Sequence, residues 1–168
     1  MRTGLFLLLF LPGCLPPVGE APSPPHGVVI NELQADNATT LADEVGGFDD
    51  WVELFNPGAE VADLTGHYLT DNLGDPLRWR FPSGTLVEPG GYLLVWADGE
   101  PDGSLHASFK LSSAGEEIGL FGPVGGEIVM LDAGEFDEQD QDQSMARTPD
   151  GALNWVADPS PTPGTAND

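Results

Sequence analysis

The 168-residue sequence contains very few basic residues and a single cysteine. Lysine and arginine together number 5, against 28 aspartates and glutamates, and the formal net charge at pH 7 is −23. Proteins bind nucleic acids by neutralising phosphates with Lys and Arg. The composition therefore predicts no nucleic-acid partner. Because Cys14 is the only cysteine, the chain cannot form an intramolecular disulfide bond.

Sequence motifs for catalysis are missing as well. The chain has no Gly-x-Ser-x-Gly elbow, no His-Glu-x-x-His pair and no phosphate-binding loop. Its three histidines, His26, His67 and His106, stand apart from any matched nucleophile motif. We therefore predict that the protein is not an enzyme.

The start of the chain has the layout of an export signal. Arg2 precedes an uninterrupted apolar run from Gly4 to Leu11, and Pro12-Gly13-Cys14 follows. A run of about eight residues is too short to span a hydrocarbon core of about 30 Å. A charged start, a short apolar run and a small-residue exit are typical of a signal peptide, which we predict over residues 1–13.

Leu11-Pro12-Gly13-Cys14 resembles the lipobox of bacterial lipoproteins, whose cysteine is acylated and becomes the first residue. The resemblance implies anchoring to a lipid bilayer through Cys14. Because Leu15 rather than aspartate follows, it also implies a place on the outer membrane or cell surface. The alternative is an ordinary signal cleaved later, for example after Ala21, which would give a secreted protein. Residues 14–26 are rich in proline and predict an extended tether.

Residues 27–157 have the pattern of one all-β domain. Short apolar runs recur, each bounded by Gly, Pro, Asn or Asp, which favours a sandwich of antiparallel strands. Alternation places Val52 and Leu54 on one strand face and Glu53 on the other. The predicted strands are Val28–Leu33, Trp51–Phe55, His67–Thr70, Arg78–Phe81, Tyr92–Trp96, His106–Leu111, Glu117–Phe121, Ile128–Asp132 and Trp155–Val156.

Three further segments receive specific predictions. Tyr92–Trp96 is apolar on both faces and is predicted to be a central strand. Glu135–Gln143 has little apolar content and is predicted to be a solvated loop. Residues 158–168, rich in Pro, Gly, Ser and Thr, are predicted to form an irregular C-terminal tail.

Val29-Ile30-Asn31-Glu32-Leu33 and then Asp50–Asn56 resemble the "I-N-E … D-W-I-E-L-Y-N" opening of bacterial lamin-tail domains. The likeness continues in order through Asp63–Asp71, Trp79–Pro82, Pro89–Trp96, Leu105–Ser112, Glu117–Leu120, Pro149-Asp150-Gly151, Trp155 and Pro161–Gly164. This resemblance implies an immunoglobulin-like antiparallel β-sandwich. It also implies an accessory module of exported proteins, and it carries over no catalytic residues.

Oxygen ligands are concentrated between the first two predicted strands. Calcium takes six to eight oxygens at about 2.3–2.6 Å, and a flexible acidic loop can supply them. The candidate calcium ligands are Asp36, Asn37, Asp43, Asp49 and Asp50, with Glu44 between them. The alternative is a solvated charged loop. Asp98–Gly103 is a weaker candidate, because Phe109 stands where an EF-hand loop has its glutamate.

The four tryptophans, Trp51, Trp79, Trp96 and Trp155, either fill the core or stack on sugar rings. Together these features predict a non-catalytic lipoprotein of the cell envelope that presents a lamin-tail-like binding module to a protein or glycan. One alternative is a structural envelope protein without a discrete ligand. Another is an accessory module of a secreted hydrolase system.

Overall fold

The computed structural model of the chain describes residues 27–100 and 103–167. These residues form eleven β-strands and no helix, which confirms the all-β prediction. The strands are β1 Val29–Gln34, β2 Trp51–Phe55, β3 Ala62–Asp63, β4 Tyr68–Thr70, β5 Trp79–Arg80, β6 Leu86–Val87, β7 Tyr92–Trp96, β8 Gly115–Val124, β9 Glu127–Asp137, β10 Ser144–Arg147 and β11 Trp155–Asp158. The signal peptide, Cys14 and the tether lie outside the described residues. Within those residues, no helix is long and apolar enough to cross a bilayer.

The strands form two main antiparallel sheets and one small sheet. The five-stranded sheet has the order β11-β10-β1-β2-β7, and the four-stranded sheet has the order β5-β4-β8-β9. Strands β3 and β6 pair with each other. The arrangement is the immunoglobulin-like β-sandwich that the sequence predicts.

The core lies between the two main sheets. Val52 and Leu54 of β2 are fully buried in it, together with Ile118 and Leu120 of β8. The alternation of β2 therefore places its two aliphatic side chains inward, as predicted. Burial of each such side chain contributes about 1.5–3 kcal/mol.

A β-bulge shapes the pairing of β1 with β2. Ile30 lies opposite Leu54, but the next register pair is Glu32 with Glu53, so Asn31 is the extra residue. A bulge places two residues of one strand against one residue of its partner. Its effect here is to set Glu32 and Glu53 side by side on the face of the sheet that points away from the core.

Strand β7 is an edge strand, so the prediction that Tyr92–Trp96 is central was wrong. The segment that continues the sheet beyond β7 is not a regular strand. The Trp96 N–H donates to the Leu105 carbonyl at 2.8 Å, and the Ala107 N–H donates to the Trp96 carbonyl at 2.7 Å. This irregular segment satisfies the backbone groups of Trp96 that face outward from the edge of the sheet.

The same segment corrects a second prediction. Residues 106–111 form isolated bridges, Trp96 with His106 and Asp98 with Lys110, rather than the predicted strand.

The prediction of a solvated loop over Glu135–Gln143 is also only partly correct. Strand β9 continues as far as Asp137, and the side chains of Phe136 and Gln139 are buried. The Gln139 Oε1 accepts a hydrogen bond from the Ala35 N–H at 2.8 Å, which ties the end of this segment to the residue after β1.

After β11 ends at Asp158, residues 159–167 lack strand structure. We call this segment the strap. The strap folds back over the outer face of the five-stranded sheet, where Thr162 and Gly164 contact Glu32 and Glu53. The predicted irregular tail is therefore irregular in backbone, but it covers the sheet.

Candidate functional site

The outer face of the five-stranded sheet carries two carboxyl groups that are completely buried. Glu32 and Glu53 are both 0% exposed. A buried carboxylate needs a cationic partner or several hydrogen-bond donors to compensate its lost hydration. Glu32 accepts a hydrogen bond from the hydroxyl of Ser144, and Glu53 accepts one from the side-chain amide of Asn31 at 3.3 Å.

The strap supplies the remaining donors. The Thr162 N–H donates to the Glu32 Oε1 at 3.1 Å, and the Gly164 N–H donates to the Glu53 Oε2. Gly164 has a φ of 82°, a left-handed conformation that glycine adopts without steric cost. Two backbone N–H groups more than one hundred positions away in sequence therefore close the site over the glutamates.

A third carboxyl group, that of Asp150, completes the network. Its Oδ1 accepts from the side-chain amide of Asn31 and from the Asn167 N–H, each at 3.0 Å, and its Oδ2 accepts from the Tyr92 hydroxyl. The Asn167 amide in turn donates to the Asn31 carbonyl at 3.3 Å and to the Arg147 carbonyl at 3.0 Å. The network therefore joins β1, β7, the end of β10 and the strap. We call it the outer polar network.

Burial dominates the electrostatics of this network. Desolvation, with the nearby carboxylates of Glu32 and Asp150, raises the pKa of Glu53 to about 7. Burial also raises the pKa of Glu32, and burial together with the Asp150 hydrogen bond raises the pKa of Tyr92. The guanidinium of Arg147, a residue whose backbone carbonyl takes part in the network, pairs instead with the Asp132 carboxylate, with Nη2 to Oδ1 at 2.9 Å.

The predicted calcium loop between β1 and β2 is held by its own hydrogen bonds. The Asn37 Oδ1 accepts from the N–H groups of Thr40 and Leu41, at 3.1 and 3.3 Å. Its side-chain amide donates to the carbonyls of Leu41 and Asp49, at 2.6 and 2.8 Å. Asn37 thus acts as the internal brace of the loop, with both ends of its side chain engaged.

Asp142, which is not among the residues predicted to form a site, also holds this loop in place, although it is distant from the loop in sequence. Its carboxylate accepts from the N–H groups of Ala38 and Thr39, each at 2.8 Å, and its own N–H donates to the Asp36 carbonyl at 2.9 Å. The Thr39 hydroxyl, which donates to the Asp142 Oδ2 at 2.7 Å, and the N–H groups of Ala38 and Thr39 lower the pKa of Asp142. The position lies in the segment predicted to be a solvated loop, so its contacts become visible only in three dimensions.

The five predicted metal ligands do not converge on one point. Asp43 and Asp49 line a cleft of ≈ 230 Å³ that Asp98, Glu100 and Lys110 also line. Asp50 is mostly buried behind the loop, where desolvation raises its pKa to about 6. Across residues 27–100 and 103–167, no group of three or more His, Cys, Asp or Glu side chains is placed to hold a metal ion. The calcium site stays a prediction.

Next to this cleft, His106 links the two acidic segments. It is 4% exposed, its Nδ1 contacts the Asp98 carboxylate, and its Nε2 lies 3.1 Å from the Glu44 Oε1. Burial alone would lower the pKa of His106, but the hydrogen bonds to the two carboxylates outweigh it and raise the pKa. A carboxylate thus faces each ring nitrogen, and the imidazole bridges Asp98 and Glu44.

Apolar side chains are exposed on the hairpin of β8 and β9. Ile128 and Met130 are 41% and 56% exposed, and they lie on the same face because they are two positions apart. Their register partners across the hairpin are Pro123 and Phe121. Phe121 is only 7% exposed, so we call Ile128, Met130 and Pro123 the hairpin surface. Strand β9 is also the edge strand of its sheet.

Comparison with known proteins identifies the family. The family model of the Lamin Tail Domain matches residues 21–135. This chain belongs to that family. A human relative, "Lamin tail domain-containing protein 2", is 37% identical over 84 residues, which cover 48% of this chain and 13% of that protein. The match thus spans only a small part of the relative's length. No solved structure matches the chain.

The family match ends within β9, before the part of the lamin-tail domain that closes the outer polar network. Strands β10 and β11, Asp150 and the strap all follow residue 135. Nevertheless, β10 pairs with β1 at the centre of the five-stranded sheet. Residues 136–167 therefore belong to the same structural unit as the matched part.

The tryptophans of the lamin-tail domain are used inside the protein. Trp51 is fully buried, and its Nε1 donates to the Gln34 Oε1 at 2.7 Å. The Trp155 ring lies beneath the Arg147 guanidinium, 4.8 Å from the ring centroid. Trp96 is also buried, and Trp79 packs edge-on against Phe81 with ring centroids 4.7 Å apart. These contacts favour the interpretation of the tryptophans as packing residues over sugar stacking.

The outer polar network was not predicted as a site. Alternation along β2 placed Glu53 away from the core, which is correct, but a residue on that face is ordinarily taken to meet water. The feature of the sequence that could have indicated this network is the resemblance to lamin-tail domains. The matched blocks of that resemblance contain Asn31, Glu32, Glu53, Asp150 and Gly164.

Proposed function

We propose that this lamin-tail domain is a non-catalytic protein-binding module, carried by an exported lipoprotein of a bacterial cell envelope. The observation that carries the binding role is the hairpin surface. Ile128 and Met130 are largely exposed beside an open strand edge. Clustered exposed apolar residues and unpaired strand edges are features that partner proteins cover.

A protein partner is favoured over a glycan. Sugar rings stack on exposed aromatic faces, but Trp51 and Trp96 are buried and Trp155 is covered by Arg147. The hairpin surface offers aliphatic, thioether and proline groups instead, which suit apolar side chains of a protein. The full chain, with a net charge of −23, also repels acidic surfaces and attracts basic ones.

The anchoring role rests on sequence alone. The apolar run before Cys14 and the lipobox-like Leu11–Cys14 support acylation of that cysteine. Stable attachment requires more than one acyl chain. Cys14→Ser should abolish fatty-acid labelling and leave an unprocessed precursor. Labelling that persists in Cys14→Ser would contradict the anchor without affecting the binding role.

The binding role is tested by affinity capture from detergent-solubilised envelopes with the full chain as bait. We expect a discrete protein to be retained by the unaltered chain and lost with Ile128→Ser/Met130→Ser. The matched control is Leu153→Ser, because Leu153 is an exposed apolar residue outside the hairpin. Capture that is equal for all three baits, or that yields only bulk envelope components, would favour the structural alternative. A captured hydrolase would identify the accessory role.

A further inference from the structure

The outer polar network buries acidic groups without a cation to neutralise them. None of the ion pairs formed within the described residues includes Glu32 or Glu53. The guanidinium of Arg147 donates hydrogen bonds to the Ala152 carbonyl from Nη1 and to the Asp132 carboxylate from Nη2. An ionised carboxylate in such a place costs several kcal/mol of desolvation that hydrogen bonds only partly offset. Protonation removes that cost.

The strap is the part of the cover that can move most easily. It has no strand pairing, and its contacts with the glutamates are the two N–H groups of Thr162 and Gly164 and a longer contact from the Thr162 hydroxyl, at 3.5 Å. Asn167 fastens its far end to Asn31 and Arg147. Segments with few buried apolar contacts open at lower free energy than core strands do.

We propose that residues 159–167 are a proton-operated latch, which closes over the outer face when Glu53 and Glu32 are protonated and opens when they ionise. Opening exposes three neighbouring carboxylates, Glu32, Glu53 and Asp150, as an acidic patch. The latch thereby couples the exposure of a second, charged surface to external pH.

The hydrogen bonds from Ser144, Asn31 and the strap lower the pKa values of the two glutamates, but they do not cancel the effect of burial. The ionisable groups that face the two glutamates are all acidic, and each raises the pKa. On Glu53 they are Glu32 and Asp150, and Tyr92 lies next to Asp150. On Glu32 the additional group is Asp158 of β11. The raised pKa of Glu53, about 7 against an ordinary 4.5, agrees with this geometry. A carboxyl whose pKa is raised by docking stabilises the docked form below pH 4.5, and that stabilisation is lost as pH rises through 7.

The test is amide hydrogen exchange of the full chain by NMR at pH 5.5 and pH 8, with each rate divided by the intrinsic rate at that pH. We expect the protection of the Thr162 and Gly164 amides to fall at least about tenfold at pH 8, because docking then requires a buried charge. The amide of Val52 in β2 should keep its protection. Equal protection of the strap at both pH values, or an equal loss in β2, would overturn the latch.

Glu32→Gln/Glu53→Gln gives the matched comparison, since glutamine keeps an acceptor for the Thr162 and Gly164 amides and cannot ionise. The strap of this double variant should stay protected at pH 8, whereas the control Asp63→Asn, at an exposed carboxyl, should behave like the unaltered chain. Strong pH dependence that survives in the double variant would also overturn the proposal. Should the double variant not fold, the Gly164 amide shift of the unaltered chain decides. It should titrate with a midpoint near pH 7, and a flat profile from pH 5.5 to 8 would contradict the latch.

Discussion

The two faces of the five-stranded sheet are both shielded from water, but by opposite chemistry. On the inner face, Val52 and Leu54 meet the aliphatic side chains of the four-stranded sheet. On the outer face, Glu53 lies between them in sequence and is just as buried, yet it is surrounded by hydrogen-bond donors. The inner face is closed by the packing of apolar groups, and the outer face around Glu32 and Glu53 is closed by hydrogen bonds.

The difference shows that alternation along a strand predicts which face of the sheet a side chain points to, but not whether water reaches that side chain. A polar residue on the outer face of a sheet becomes a core residue when another segment covers it. Here that segment is the strap, whose Thr162 and Gly164 are far from Glu32 and Glu53 in sequence. The physical consequence is that two residues one peptide bond apart, Val52 and Glu53, should respond very differently to substitution and pH.

The inner face should tolerate a charge least. Val52→Asp places an unpaired carboxylate among aliphatic groups, which costs several kcal/mol and is comparable to the whole stability of a small domain. We expect this variant to be unfolded at 25 °C by near-ultraviolet circular dichroism. A cooperative unfolding transition close to that of the unaltered chain would mean that the β2 face is not the core.

On the outer face, removal of one hydrogen-bonding side chain should cost less. Asn167→Ala leaves the carbonyls of Asn31 and Arg147 without their donor. Buried groups left unsatisfied cost about 1–3 kcal/mol. Urea denaturation measures the loss. Asn154→Ala removes an exposed amide and serves as the control, which should change little. Equal effects in the two variants would show that the strap does not contribute to stability.

The acidic loop provides a third setting, in which carboxylates remain near water. If the predicted calcium site forms, 1 mM calcium should stabilise the chain by about 0.4–1.4 kcal/mol, given the affinities of extracellular sites. Thermal unfolding with calcium and with chelator at matched ionic strength measures this. Asp49→Asn should remove the stabilisation by calcium and Asp63→Asn should not, because Asp49 lines the acidic cleft and Asp63 does not. A shift that is the same in both variants, or the same with magnesium, would indicate diffuse screening.

The smallest effect is expected where neither face is involved. Glu60 is exposed in the turn after β2, and only its backbone carbonyl is used, as an acceptor for the Asn56 side chain at 2.8 Å. Glu60→Ala should therefore change the free energy of unfolding by less than about 0.5 kcal/mol. A larger loss in urea denaturation would show that exposure alone does not separate the sensitive carboxyl groups from the insensitive ones.

Much of the fold could be predicted because apolar alternation is a local signal. The strand Trp51–Phe55 is found at its predicted bounds, and β11 begins at Trp155 as expected. The edge position of Tyr92–Trp96 could not be predicted, since a strand covered by residues 105–107 has the same composition as a central one. The bulge at Asn31 interrupts the period of two, since the inward residues are Ile30 and Leu33, but this interruption does not predict that Glu32 pairs with Glu53.

The sites were harder to predict because their parts are distant in sequence. Acidic residues clustered along the chain drew attention to the β1–β2 loop, where Asn37 proves to be a structural brace. The outer polar network instead unites residues from β1, β2, β7, β10, the segment after β10 and the strap. Asn31, Asp150 and Asn167 are brought together only in the folded chain. Composition therefore does not predict the outer polar network.

The most direct test of the difference between the two faces is the pKa of Glu53 with and without the strap. Carbon NMR can follow the side-chain carboxyl in the full chain and in a chain that ends at Asp158, with the β2 amides confirming that both are folded. We expect a midpoint near 7 in the full chain and a fall towards 4.5 in the shortened one, because the strap excludes water from the carboxyl. The same midpoint in both chains would show that the strap does not bury Glu53, and would contradict the assignment of the outer face to polar closure.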